Sequence, residues 1–169
     1  MQIQPPIINI FEKAVRKAGR LILRDFGEIE NLQIESKNIG DFVTNADLNS
    51  EKILLETLQY YYPDATYITE EKGKIQTGEE IIVIDPIDGT TNFIHGIPHF
   101  AISIALKSND EIISGLIFDP IKNEIFYAEK NSGAYFNNHR IRVSKKRDIK
   151  ECLFATGGKE EIKTTLNVR

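Results

Sequence analysis

Apolar residues recur along the first part of the chain at helical spacing. Ile7, Phe11, Ala14, Val15, Ala18, Leu21 and Ile22 fall on one face, which predicts a helix over about residues 6–26 that stops at Gly27. "LQIES" (32–36) alternates as a short strand would. A second helix is predicted from about Ala46 to Tyr61, with Ile53, Leu54 and Leu58 inward and Pro63 just beyond its end. "ATYITEE" enters as a strand. "EIIVID" is an almost unbroken apolar run and predicts a buried strand. Past residue 98 the texture changes. "FAISIALK", "EIISGLIF", "EIFYAE" and "GAYF" are strand-like and are separated by "SND", "DPIKN" and "KNSG", which carry strong turn chemistry. Helices followed by an antiparallel meander predict an α+β fold, with helices layered on an antiparallel sheet.

Composition narrows the class. The 169 residues suit one domain, expected to span 1–169. Hydrophobic residues at 41% and charged residues at 27% are ordinary for a globular protein, and a net charge of -4 gives no basic footprint for nucleic acid. The single cysteine, Cys152, excludes an internal disulfide framework. It opens the strand-like "CLFAT", where a core position is expected. No stretch has the length of a membrane helix, and the N-terminus lacks a signal-peptide core. These features together predict a cytoplasmic protein. His95, His99 and His139 are scattered and predict ordinary structural or surface roles. The basic "SKKRDIK" predicts a solvated turn.

The stretch "VIDPIDGTTNF" (83–93) carries the most chemistry. Asp85 ends the apolar strand, and Pro86 biases it to stay extended. Asp88 follows one short turn later. Two carboxylates held so close repel each other, and a hard divalent cation such as Mg²⁺ between them would remove the repulsion. Gly89 would let an external group approach the backbone. Thr90 and Thr91 would open a short helix whose free N–H groups favour an anion such as phosphate. An Asp-Pro turn with capping threonines accounts for the same residues. Glu70 and Glu71 end the "TYITEE" strand. If that strand neighbours "EIIVID", Glu70 and Asp85 meet at one end of the sheet. Further back, Thr44 and Asp47 in "GDFVTNAD" fit a helix-start capping box, and a solvated loop accounts for Asp41 and Lys37.

"DPIDGTTNFIHGIPHFAISIAL" strongly resembles the metal-dependent inositol monophosphatase family. "GDFVTNAD" and "ITEE" match its two earlier motifs in the right order, and "GLIFDPIKNEIFYAEKNSGAYFNNHRIRVS" resembles the meander of its bacterial members. "DGTTNF" is closer to the inositol phosphatase branch than to the adenosine bisphosphate phosphatases. The resemblance implies Mg²⁺-dependent hydrolysis of inositol monophosphate or a similar polyol phosphate. It implies Glu70, Asp85, Asp88 and the carbonyl of Ile87 as metal ligands. Thr90, with Asp47 behind it, would orient the attacking water, and the N–H groups of Gly89 and Thr90 would hold the phosphate. Lys37 sits where family members often carry a lysine near the site. Related substrates such as a nucleotide or fructose bisphosphate are the alternative.

One departure stands out. Family members continue beyond the point matched by "LFATGG", and their later part carries a tryptophan-aspartate motif whose aspartate binds the second metal. This chain has no tryptophan. The expectation is the N-terminal portion of such an enzyme, one carboxylate short at the second metal, with apolar surface left uncovered. A catalytically inactive protein with a binding or regulatory role, or one that pairs as a homodimer, also fits. Some bacterial relatives are implicated in RNA metabolism.

Overall fold

Helix α1 (Pro6–Ile34) and helix α2 (Ile39–Tyr61) pack on each other and on one face of an eight-stranded sheet. The computed structural model describes residues 5–34, 39–70, 72–76 and 78–153, with side chains described in those ranges except at 30–44. The strands are β1 (Thr66–Thr69), β2 (Gly73–Ile75), β3 (Ile81–Asp88), β4 (Ala101–Ser108), β5 (Glu111–Asp119), β6 (Glu124–Glu129), β7 (Gly133–Phe136) and β8 (His139–Ile141), with the short helix α3 (Thr90–Ile94) after β3. Their order across the sheet is β2-β1-β3-β4-β5-β6-β7-β8. β1 runs parallel to β3, and every other neighbouring pair is antiparallel. The expected α+β architecture is present.

Strand alternation builds the core. Ile84, Ile104, Leu116, Tyr127 and Tyr135 are register partners across five consecutive strands. All five are buried, on the face covered by Phe11, Val15, Ile22, Leu54 and Leu58 from the helices. α1 approaches the sheet closely at Gly19, where an added Cβ would lie 2.7 Å from the Phe118 ring. The next row across the sheet reads Asp85, Ser103, Ile117, Phe126 and Phe136 and faces the other way. There Ile117 is 48% exposed and Phe126 39%. β3 is therefore fully covered on its helix side only, and the expected uncovered apolar surface lies on the opposite side.

Local reading of the chain needs four corrections. α1 runs through Gly27 to Ile34, so Leu32–Ile34 are helical rather than the start of a strand. Ile29 lies two turns beyond Leu21 and Ile22 and is buried, and that packing outweighs the roughly 1 kcal/mol helical penalty of glycine. α2 begins at Ile39, ahead of the expected Ala46. Thr44 and Asp47 therefore lie inside a helix, and no capping box opens there. Two three-residue strands, β2 and β8, are too short and polar to show an alternation of their own. Cys152 is exposed beside a 3₁₀ turn at Ile149–Glu151, with Leu153 also exposed, so it is neither in a strand at that point nor in the core. The remainder of "CLFAT", together with Glu35, Ser36, Lys37 and Glu71, lies outside the described residues. The basic run is solvent-exposed, as expected.

Candidate functional site

A one-residue irregularity in β3 creates the site. Asp85 pairs with Ser103, and Asp88 pairs with Ala101, so three steps on β3 match two on β4. In a regular strand, residues three apart point to opposite faces. The extra residue is a β-bulge that turns Asp88 back to the side of Asp85. Pro86, which has no N–H for the ladder, lies inside it. The "DPID" spacing and the bulge are the same feature, seen first in sequence and then in space.

The parallel pairing of β1 with β3 brings in the third carboxylate. Thr69 is opposite Ile84, so Glu70 follows at the level of Asp85. Burial pushes the Asp85 carboxyl up from its ordinary value to about 6. The negative charges of Asp88 and Glu70 add to the rise, and the Ile87 backbone N–H opposes it. Asp85 Oδ1 is buried with no hydrogen-bond partner. Glu70 and Asp88 reach solvent. Among the described residues, no three His, Cys, Asp or Glu side chains are already gathered at metal-ligand spacing. An orphaned buried carboxylate oxygen among all-oxygen donors fits a hard divalent cation such as Mg²⁺, which would neutralise the repulsion.

Beside the carboxylates the chain turns sharply into α3. Gly89 has φ 95°, in the left-handed region, and an added Cβ would lie 3.1 Å from the His99 carbonyl and 3.3 Å from Phe100 Cα. Glycine is thus required by both torsion and space. The Thr90 hydroxyl donates to the Ile87 carbonyl at 2.9 Å, the same carbonyl expected as a metal ligand. A carbonyl oxygen has two lone pairs and can serve both. Asp47 is buried on α2, which packs against α3.

Several supporting residues escaped sequence reading. Phe93 is fully buried under α3 and meets Phe26 and Phe100 at ring-centroid distances of 5.5 and 5.1 Å. The Asn92 side-chain amide donates to the His99 carbonyl at 2.7 Å and ties down the chain after α3. Glu51 is buried one helical turn beyond Asp47 on α2, and the i,i+4 spacing of the two was its one visible signal. His95, His99 and His139 are all exposed, in keeping with the roles expected of them.

Fold and site define an α+β protein with a carboxylate-rich centre at the C-terminal ends of two parallel strands, beside a glycine turn. Comparison with known proteins makes this specific: the chain belongs to the inositol monophosphatase family, matched over residues 4–167. It is 43% identical over 154 residues to the Nus factor SuhB of Pasteurella multocida, covering 90% of this chain and 58% of that protein. It is 40% identical over 153 residues to the inositol-1-monophosphatase of Rhizobium meliloti, covering 89% and 58%. A crystal structure of the extragenic suppressor protein SuhB from Bartonella henselae superposes with a TM-score of 0.78 at 41% identity, covering 88% of this chain and 58% of that one. The chain therefore spans less than two thirds of the length of these relatives.

Proposed function

We propose that the chain carries the metal and phosphate half of a Mg²⁺-dependent phosphomonoesterase acting on inositol monophosphate or a similar polyol phosphate. The buried, unpartnered Asp85 Oδ1, on a carboxyl that feels the charges of Asp88 and Glu70, carries this reading. Glu70, Asp85, Asp88 and the Ile87 carbonyl would hold the cations. Bound Mg²⁺ supplies a water of lowered pKa and stabilises negative charge on the transferring phosphoryl group and the leaving oxygen. Gly89 exposes backbone that can approach the phosphate, and its N–H with that of Thr90 would bind the phosphate oxygens. The Thr90 hydroxyl already donates to Ile87, which leaves its lone pairs to accept from the attacking water. Asp47 would support that orientation from α2. Attack on phosphorus breaks the bond to the polyol oxygen, and the proton given up by water ends on the leaving alcohol.

The small-molecule partners in this reading are the phosphate ester and Mg²⁺, and the setting is the cytoplasm. Among the described residues no helix is long and apolar enough to cross a membrane. The test is phosphate release from inositol 1-phosphate by the purified chain, titrated with Mg²⁺ beside Asp88→Asn. Magnesium-dependent turnover lost in the variant is expected. A nucleotide or fructose bisphosphate hydrolysed faster than inositol 1-phosphate would move the substrate assignment.

A second reading is favoured by the uncovered Ile117–Phe126 row. Here the chain binds metal without turnover and acts through a protein surface, the simplest pairing being a homodimer. Mg²⁺ binding with no phosphate release, in a protein that sediments as a dimer, is its signature.

A further inference from the structure

Glu51 is fully buried on α2, and the mechanism above leaves it without a task. Among the described residues its cation is Lys72, whose ammonium lies 2.7 Å from Glu51 Oε1, while the Lys72 side chain is 45% exposed. The approach lies outside hydrogen-bonding angles, so neither Oε1 nor Oε2 has a hydrogen-bond partner. A buried carboxylate with a single ionic contact and no hydrogen bonds is a poor source of stability, because desolvation offsets the attraction. The best-attested use of such a pair is to fix how two elements register.

The two elements here are specific. Lys72 closes the turn between β1 and β2, in which Thr69 pairs with Gly73. Glu70 stands in that turn, two residues before Lys72. The Lys72 N–H donates to the buried Thr69 Oγ1 at 3.2 Å, so backbone and side chain anchor the turn at separate points. On α2, Glu51 lies one turn beyond Asp47 on the same face. The ion pair thus ties the turn bearing one proposed metal ligand to the helix bearing the proposed water-orienting aspartate.

We propose that Glu51 is a positioning residue: through Lys72 it clamps the β1–β2 turn to α2 and sets Glu70 against Asp85. This rests on the metal-site reading given above. Outer residues that orient metal ligands act on affinity without touching the ion.

The experiment compares the 169-residue chain with Glu51→Gln, Lys72→Met, Lys72→Arg and the double variant Glu51→Gln/Lys72→Met. Amide hydrogen exchange across residues 69–75 is measured without metal, and Mg²⁺ affinity by calorimetry. Glu51→Gln, Lys72→Met and the double variant are expected to speed exchange in the turn and to weaken Mg²⁺ binding by about tenfold or more. Lys72→Arg is expected to restore both. The double variant removes both charges of the pair and decides the matter where a single variant fails to fold. Unchanged exchange in the folded double variant overturns the clamp. Faster exchange with wild-type Mg²⁺ affinity overturns its role in positioning Glu70. A wild-type chain that binds no Mg²⁺ overturns the metal-site reading, and the positioning role with it, whatever the exchange shows.

Discussion

Glu70 and Asp85 follow the pairing of Thr69 with Ile84 by one residue each, at the C-terminal ends of the parallel strands β1 and β3. Burial, and after it the negative charges of Asp88 and Glu70, push the Asp85 carboxyl up to about 6. Buried and repelled, the Asp85 carboxylate costs the fold stability, a cost that the proposed cation would offset.

Asp85→Asn separates the two effects. Removing the buried charge is expected to raise the metal-free melting temperature by about 3 °C, which for a chain of this size corresponds to ~1 kcal/mol. The same change is expected to abolish the upward shift that Mg²⁺ produces in the wild type. Thermal scans with and without Mg²⁺ check both parts. An equal Mg²⁺-induced shift in wild type and variant would remove Asp85 from the ligand set.

Gly89→Ala probes the turn beside the carboxylates. Its φ of 95° and the His99 carbonyl 3.1 Å from the new Cβ both oppose the substitution. A loss of about 1–2 kcal/mol is expected for a side chain forced into the left-handed region. Weaker binding of inorganic phosphate should accompany it. Urea unfolding and a phosphate titration measure the two, and intact phosphate affinity would count against Gly89 as part of the cradle.

Gly27→Ala is expected to stabilise the protein. Gly27 lies inside α1, and nothing stands within 4 Å of an added Cβ. The gain should be about 0.5–1 kcal/mol, because alanine forms helix better and narrows the unfolded ensemble. It would appear as a higher urea midpoint with an unchanged slope. Destabilisation would mean that α1 does not continue through this position.

Tyr67 predicts an alkaline limit to stability. Its ring is fully buried, its hydroxyl donates to the Tyr62 carbonyl at 2.7 Å, and burial pushes the phenol up to about 12. The folded protein holds this proton more tightly than the unfolded chain does. Its contribution is therefore fully present below pH 10 and is lost as pH rises from 10 to 12, by about 2–3 kcal/mol. Tyr62 and Tyr127 are also raised, so the measurement is the difference between wild type and Tyr67→Phe. Parallel stability curves for the two proteins above pH 10 would contradict it.

The sequence by itself determined the kinds of element, the meander and the identity of the chemistry-bearing residues. Helical period, strand alternation and turn residues are local properties, and "DPIDGTTNF", "ITEE" and "GDFVTNAD" place Asp85, Asp88, Glu70 and Asp47 in order along the chain. Where local signals were weak or conflicted with packing, they misled. Gly27 looked like a helix stop until buried Ile29 carried α1 past it, and Thr44 looked like a cap because nothing nearby showed that α2 starts at Ile39. Only the tertiary structure decided that Asp85 and Asp88 share a face. That depends on a bulge set by pairing with Ser103 and Ala101, well along the chain on β4. It alone decided that Glu70 comes level with Asp85, and that buried Glu51 reaches Lys72. Register and ion pairing join residues distant in sequence, and no local period encodes which strand becomes the neighbour.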